Sequence, residues 1–268
     1  MRKTPSVELE TAHDVYREGL ITLQASAVPF LVGGAFALES YTGLVRRTKD
    51  LDVFVRPGHA EPLLAVLSKA GYRTEMRFSH WLGKAFKDDH FIDIIFGSGN
   101  GVCPVDELWF RHAEAATILD LPIQIVPPEE MIWSKAFIME RERYDGADIA
   151  HMLRARSRTL DWPRMLARFN SHWRVLFSHL ILFGFIYPAY RLAIPKWVMD
   201  ELNHRLQQEM ASLPADNRLC QGTLLSWSQY LMHTESGDYV DARHYPRGTL
   251  TEEETARITE MMRGEEKG

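Results

Sequence analysis

Residues 30–55 read FLVGGAFALESYTGLVRRTKDLDVFV, and the alternation that closes them restricts what this chain can fold into. From Asp50 to Val55 the period is two, the mark of a strand with unlike faces. Leu51, Val53 and Val55 point into a core, while Asp50 and Asp52 share the opposite face. Two carboxylates about 6 Å apart repel by about 3 kcal/mol at an effective dielectric near 20. Water at an exposed edge strand relieves that repulsion. So does a divalent cation, and ligation by oxygen alone selects Mg²⁺ or Mn²⁺ over zinc.

The neighbouring residues favour a site. Gly33-Gly34 joins the apolar run Val28–Val32 to a short helix over Ala35–Tyr41, closed by Gly43. Such a junction turns backbone N–H groups and the positive end of a helix toward an anion, although an ordinary tight turn has the same sequence. Downstream, Asp93 stands in HFIDIIFG among Phe91, Ile92, Ile94 and Ile95. A carboxylate inside so apolar a strand is costly without a cationic partner. If its strand lies beside that of Asp50 and Asp52, three carboxylates converge below a phosphate-holding turn. Metal-assisted phosphoryl transfer requires that arrangement.

The chain changes character at Pro127-Pro128. Before it, an amphipathic helix is expected over 7–26, with Val7, Leu9, Val15, Leu20 and Leu23 to bury. A helix over 59–70 ends at Gly71, and strands are expected near 72–78, 83–87, Phe91–Phe96 and Ile123–Val126. This is an α/β pattern. Beyond the prolines strand signals largely cease. Helices are read over Glu129–Glu140, Asp145–Arg156, Trp162–Phe169, Trp173–Ile186 and Pro195–Met210, with Leu219–Met232 a further candidate. The expected organisation is a core over residues 1–126, a helical domain over 127–250 and a charged, mobile tail over 251–268.

Composition removes several classes. With 46% hydrophobic and 25% charged residues the chain is globular, and a net charge of −5 gives no overall pull toward polyanions. The charged N-terminus is unlike a signal peptide. The apolar run from Val175 to Tyr190 falls short of the ~20 residues a membrane span needs. Cys103 and Cys220 read as free thiols, so a cytoplasmic protein with no membrane partner is expected. The eleven histidines show no metal-ligand spacing, and His172 and His179 read as packing residues on one helix face. The run HWRVLFSHLILFGFIYPAY reads as helical core, or as the wall of an acceptor pocket.

The segment VGG-x(15)-DLDVFV resembles the signature of the DNA polymerase beta-like nucleotidyltransferase superfamily. RRTKDLDV is similar to the R-x-T-x-D-h-D form of its small bacterial members, and FIDIIFG resembles its third-carboxylate strand. Residues 127–153, PPEEMIWSKAFIMERERYDGADIAHML, resemble a Pro-Glu…Lys…Arg…Asp-x-x-Asp segment found in the abortive-infection toxin type. The resemblance implies an α/β (α+β) core with a mixed sheet, followed by a C-terminal helical domain. It implies transfer of a nucleoside monophosphate from a triphosphate such as ATP to an acceptor hydroxyl. By that comparison Gly33, Gly34, Arg46, Thr48 and Lys135 meet the nucleotide, and Asp50, Asp52 and Asp93 hold Mg²⁺ or Mn²⁺. Asp93 completes a second metal site or acts as general base. Arg141, Arg143, Asp145 and Asp148 are accessory positions.

Gly34 departs from the pattern, since many members carry Ser there, and the change removes one possible phosphate hydrogen bond. The acceptor is open: a small molecule, RNA or a protein. Eight arginines against four acidic residues over 141–174 fit an RNA track and a solvated helical face alike. The alternative reading is a non-catalytic nucleotide-binding or regulatory protein that retains the fold.

Overall fold

The computed structural model describes residues 5–46, 48–213 and 218–265, with side chains over 12–46, 48–213 and 218–260. Val7, Leu9 and Arg47 therefore lie outside the described side chains. The chain divides into two compact units, Met1–Pro127 and Pro128–Gly268.

In the first unit the chain runs through α1 (Pro5–Ala25), β1 (Leu31–Val32), α2 (Gly34–Thr42), β2 (Asp50–Phe54) and α3 (Ala60–Lys69). It continues through β3 (Arg73–Phe78), β4 (Leu82–Lys87), β5 (His90–Ile95), α4 (Glu107–Arg111), β6 (Glu114–Ile118) and β7 (Leu121–Ile125). The strands form one mixed sheet in the order β3-β4-β5-β2-β1-β7-β6. β2 runs parallel to β5 and antiparallel to β1, and β1 runs parallel to β7. Alternation along β2 and β5 buries Leu51, Val53, Ile92 and Ile94 completely, together with Leu20 and Leu23 of α1 and Leu63 and Leu67 of α3. Their neighbours Asp50, Asp52 and Asp93 are left on the other, half-buried face.

Three local readings differ from the expectation. The first strand is only Leu31–Val32, because Pro29 has no N–H to give a ladder. α4 and β6 escaped detection. Asp106 caps α4 by accepting from the Leu108 N–H at 2.9 Å, and β6 is an edge strand whose buried pattern is confined to its end. The hairpin from β6 to β7 turns on Leu119 and Asp120, both at positive φ, 49° and 62°, without the glycine or asparagine that advertises such turns.

The second unit contains α5 (Pro128–Ala136), α6 (Gly146–Arg156), α7 (Trp162–Phe169), α8 (Trp173–Ile186), α9 (Lys196–Met210), β8 (Leu219–Cys220), α10 (Trp227–Glu235), β9 (Val240–Asp241) and α11 (Glu252–Glu265). α5 stops at Ala136, four residues before the expected Glu140, and Met139 then bridges back to Tyr144. Leu219–Met232 is not one helix. Leu219 and Cys220 pair in parallel with β9, and the helix begins only at Trp227, capped by the Ser226 hydroxyl. The charged segment expected as a tail is helical over Glu252–Glu265, with Thr255, Ile258 and Thr259 buried.

The core of this unit holds Trp162, Met165, Phe169, Leu176, Leu180, Phe183, Val198 and Leu202. It also holds two glutamates. Glu130 takes Arg164 at 2.5 Å and Arg168 at 2.9 Å, while Glu129 pairs with Arg164 and accepts the Asp161 N–H at 2.6 Å. Burial pushes the Glu129 carboxyl upward, and Asp161 and Arg164 only partly oppose it. Two of the eight arginines counted over 141–174 are thus partly buried counter-ions. The aromatic run is only partly core. Leu176, Leu180 and Phe183 lie three or four residues apart on the packed face, whereas Ile181, Leu182, Phe185 and Ile186 are exposed. His179 is buried and bonds the Ala136 carbonyl at 3.0 Å, and burial lowers its pKa. Both cysteines are unpaired, and no helix among the described residues is long and apolar enough to cross a membrane.

Candidate active site

The in-register pairing of β2 with β5 sets Asp52 directly beside Asp93 and Asp50 beside Phe91. Paired residues on adjacent strands project to the same face, so Asp50, Asp52 and Asp93 converge. One carboxylate oxygen from each lies within 4.8 Å of the others, and this is the one such acidic or histidine-containing group among the described residues. Charges this close repel by about 3 kcal/mol per pair or more at an effective dielectric near 20. The three need compensation.

Part of it comes from the sheet itself. Lys84 on β4 stands opposite Asp93, and its ammonium lies 2.7 Å from Asp93 Oδ1. The costly carboxylate in an apolar strand does have a cationic partner. Thr48, expected at the nucleotide, donates its hydroxyl to Asp50 Oδ1 at 2.5 Å. It fixes the direction in which that carboxylate points. Arg46 and Lys49 on the same loop are exposed.

The Gly33-Gly34 turn is fitted to β2. The Gly33 N–H donates to the Asp52 carbonyl at 2.9 Å, and α2 begins at the next residue. Gly33, at the cap position of α2, has no side chain with which to cap it, and the first-turn N–H groups of a helix have no intrahelical partners. Gly34 has φ of +55°, and a Cβ there would lie 1.7 Å from Asp52 Oδ2. A Cβ on Gly33 would meet the Phe54 ring at 2.3 Å. The departure from Ser at position 34 therefore goes with a close approach between turn and carboxylate. A serine cannot occupy this backbone without displacing Asp52.

Tyr16 of α1 was not singled out by sequence. Its ring meets Phe36 of α2 and His90 of β5 edge-on, and its buried hydroxyl has no hydrogen-bond partner among the described residues. Burial, and then the charges of Asp50, Asp52 and Asp93, hold its pKa far above the usual phenol range. Nothing in the spacing of α1 distinguishes it from the other core positions.

The second unit carries its own cluster. Lys135 of α5 lies 2.8 Å from Asp145 and 2.9 Å from Asp148 at the start of α6. Burial disfavours the Lys135 ammonium, but the two carboxylates outweigh it and raise its pKa. Burial also opposes ionisation of Asp145, yet Lys135 and Arg143 hold its carboxyl below the ordinary value. Asp145 occupies the cap position of α6 without capping it; its side chain serves the ion pair instead. Arg143 and Arg141 are both exposed; Arg143 bonds Asp145 at 3.3 Å, and Arg141 lies beside Glu142.

Residues 24–183, more than half of the chain, match the protein family described as uncharacterised nucleotidyltransferase. The chain belongs to this nucleotidyltransferase family. No curated protein matches it in sequence. Among solved structures, the antibiotic-resistance factor ANT(2″)-Ia is similar at 18% identity, covering 64% of this chain and 97% of its own, with a TM-score of 0.45. The lincosamide antibiotic adenylyltransferase LnuA, solved with lincomycin, is similar at 14% identity, over 52% of this chain and 94% of its own, with a TM-score of 0.38. JHP933 from Helicobacter pylori is similar at 13% identity, over 76% of this chain and 97% of its own, with a TM-score of 0.41. Likeness at this level does not extend to chemistry.

Two measurements probe these clusters. Gly34→Ala must strain a left-handed backbone and move Asp52, so urea denaturation should show a loss of about 1–3 kcal/mol. An unchanged midpoint would contradict the fit of turn to carboxylate. For Asp145 the depressed folded-state pKa means its stabilisation is complete above the unfolded value of about 3.9 and is lost as pH falls through the folded one. Calorimetry should therefore find Asp145→Asn less stable than the parent at pH 7, with the gap closing below about pH 4.

Proposed function

We propose that this nucleotidyltransferase moves a nucleoside monophosphate from a nucleoside triphosphate to an acceptor hydroxyl, with Mg²⁺ or Mn²⁺ held by Asp50, Asp52 and Asp93. The convergence of those carboxylates from two paired strands, beside a glycine turn, supports the reading most directly. The donor set fits a hard cation, since it offers oxygen alone, with neither histidine nor cysteine in the group. A bound divalent ion supplies positive charge against the phosphate oxygens and the departing pyrophosphate.

The chain supplies the rest. N–H groups at the start of α2 receive the triphosphate, and Thr48 keeps Asp50 turned toward it. The acceptor oxygen attacks the α-phosphorus, forming a new P–O bond as the bond to the bridging oxygen breaks and pyrophosphate leaves. The hydroxyl proton passes to solvent or to a carboxylate of the triad. Lys135 already directs its ammonium to Asp145 and Asp148, so we assign that cluster an accessory, positioning role. Its order of residues is the support for a toxin-type relationship. The unpaired Cys103 and Cys220 fit a cytoplasmic setting.

The acceptor stays open among a small molecule, RNA and a protein. The arginine count favours RNA less than it did, because Arg164 and Arg168 are committed to Glu129 and Glu130. Pyrophosphate release should be measured with each triphosphate in a cell lysate, tracking whether label enters RNA, protein or small molecules. Asp52→Ala should reduce release by at least about a hundredfold, the scale of removing a key electrostatic group. Nucleotide binding without turnover by the parent chain would support the non-catalytic alternative instead.

A further inference from the structure

We propose that the outer face of α8, with the turn that follows it, is the centre of a twofold interface between two copies of this chain. The inference stands apart from the metal site. No charged residue occurs between Val175 and Tyr190, so α8 is apolar almost all round after Arg174. A helix of that kind is expected to be covered on every side. Leu176, Leu180 and Phe183 fill the core of the second unit, yet Ile181, Leu182, Phe185 and Ile186 are exposed. Ile181 and Phe185, like Leu182 and Ile186, stand one helical turn apart, which joins the four into a stripe. The turn Pro188–Ala193 extends it. That segment folds back on α8, where a Cβ on Gly184 would lie 3.8 Å from Arg191 Cβ, and it adds the exposed Tyr190 and Leu192.

Phe185 and Leu192 are 81% and 85% exposed, and the other four lie between 40% and 55%. At ~200 Å² for a large side chain in the open, the six present on the order of 600 Å² per copy. Monomers rarely leave that much apolar surface in one patch. Two such faces bury about 1,200 Å² before any rim is counted, the size at which specific interfaces begin. The chemistry selects a second copy. At a twofold axis each residue meets its own counterpart, so a charge there repels itself, whereas an uncharged apolar stripe is self-complementary. A lipid surface would call for free basic residues at the rim. The cations nearest in sequence are engaged within the chain. Arg174 pairs with Glu209 at 3.0 Å and Lys196 with Asp200 at 2.6 Å, while Arg191 donates to the Pro188 carbonyl at 3.4 Å.

The test is sedimentation velocity on the full chain at micromolar concentrations, where the parent should sediment at twice the chain mass. Phe185→Glu and Leu192→Glu should each weaken the dimer about thirtyfold or more, the scale of a hot-spot residue. Met210→Glu should leave it intact, because that exposed side chain follows Glu209 at the far end of α8, where Glu209 meets Arg174. Hydroxyl-radical labelling of the parent needs no variant. Modification of Phe185 and Tyr190 should fall as the concentration rises, while that of Met210 holds steady. A parent that stays monomeric, or a dimer indifferent to both glutamates in folded variants, overturns the proposal. So does a monomeric parent captured by phosphatidylserine vesicles and released by Phe185→Glu, which would give the face to lipid.

Discussion

Parallel pairing of β2 with β5 is the constraint from which the site follows. Register places Asp52 beside Asp93, and the pleat sends both to the face away from Leu51, Val53, Ile92 and Ile94. A slip of one residue in either strand would turn its acids into the core and its aliphatic residues out. The hydrophobic burial that fixes register is therefore the same burial that assembles three like charges. The fold holds them together against their repulsion because each apolar residue buried on the opposite face contributes about 1.5–3 kcal/mol. The proposed site is an arrangement of repelling charges whose stability is supplied by the other side of the sheet.

The compensation is local and specific. Lys84 answers Asp93, Thr48 orients Asp50, and the Asp52 carboxylate lies against a glycine turn that has no room for a side chain. The second unit manages charge by another route. The buried Glu129 and Glu130 are paired with the partly buried Arg164 and Arg168, and Lys135 is held between Asp145 and Asp148. Buried pairs of this kind contribute little net stability compared with apolar packing, but leaving one partner alone is costly. They make the helix starts at Pro128 and Gly146 intolerant of neutral replacement at a single position.

Much of this was legible in the residues. The D-x-D alternation, the acid in FIDIIFG and the Gly-Gly junction each carry a period or a breaker that acts over a few residues, and the core strands and most helices follow from the same signals. What stayed hidden depends on partners distant in sequence. Lys84 lies in LGKAFK, where alternation marks a strand but nothing tells which acid it will face. Tyr16 looked like any core position of an amphipathic helix. The hairpin at Leu119-Asp120 lacks the usual turn residues, and nothing near Glu129 and Glu130 in sequence marks the distant arginines they meet. In the aromatic run, hydrophobicity all round α8 concealed which face would pack.

Asp50, Asp52 and Asp93 are proposed to form one divalent-ion site beside the glycine turn. Its most direct test is a crystal soaked with Mn²⁺ and a non-hydrolysable triphosphate, read by anomalous scattering. The expected result is a manganese peak coordinated by oxygens of Asp50 and Asp52, with Asp93 beside it and phosphate against the first turn of α2. Manganese bound elsewhere, with Asp93 still held by the Lys84 ammonium, would overturn that assignment.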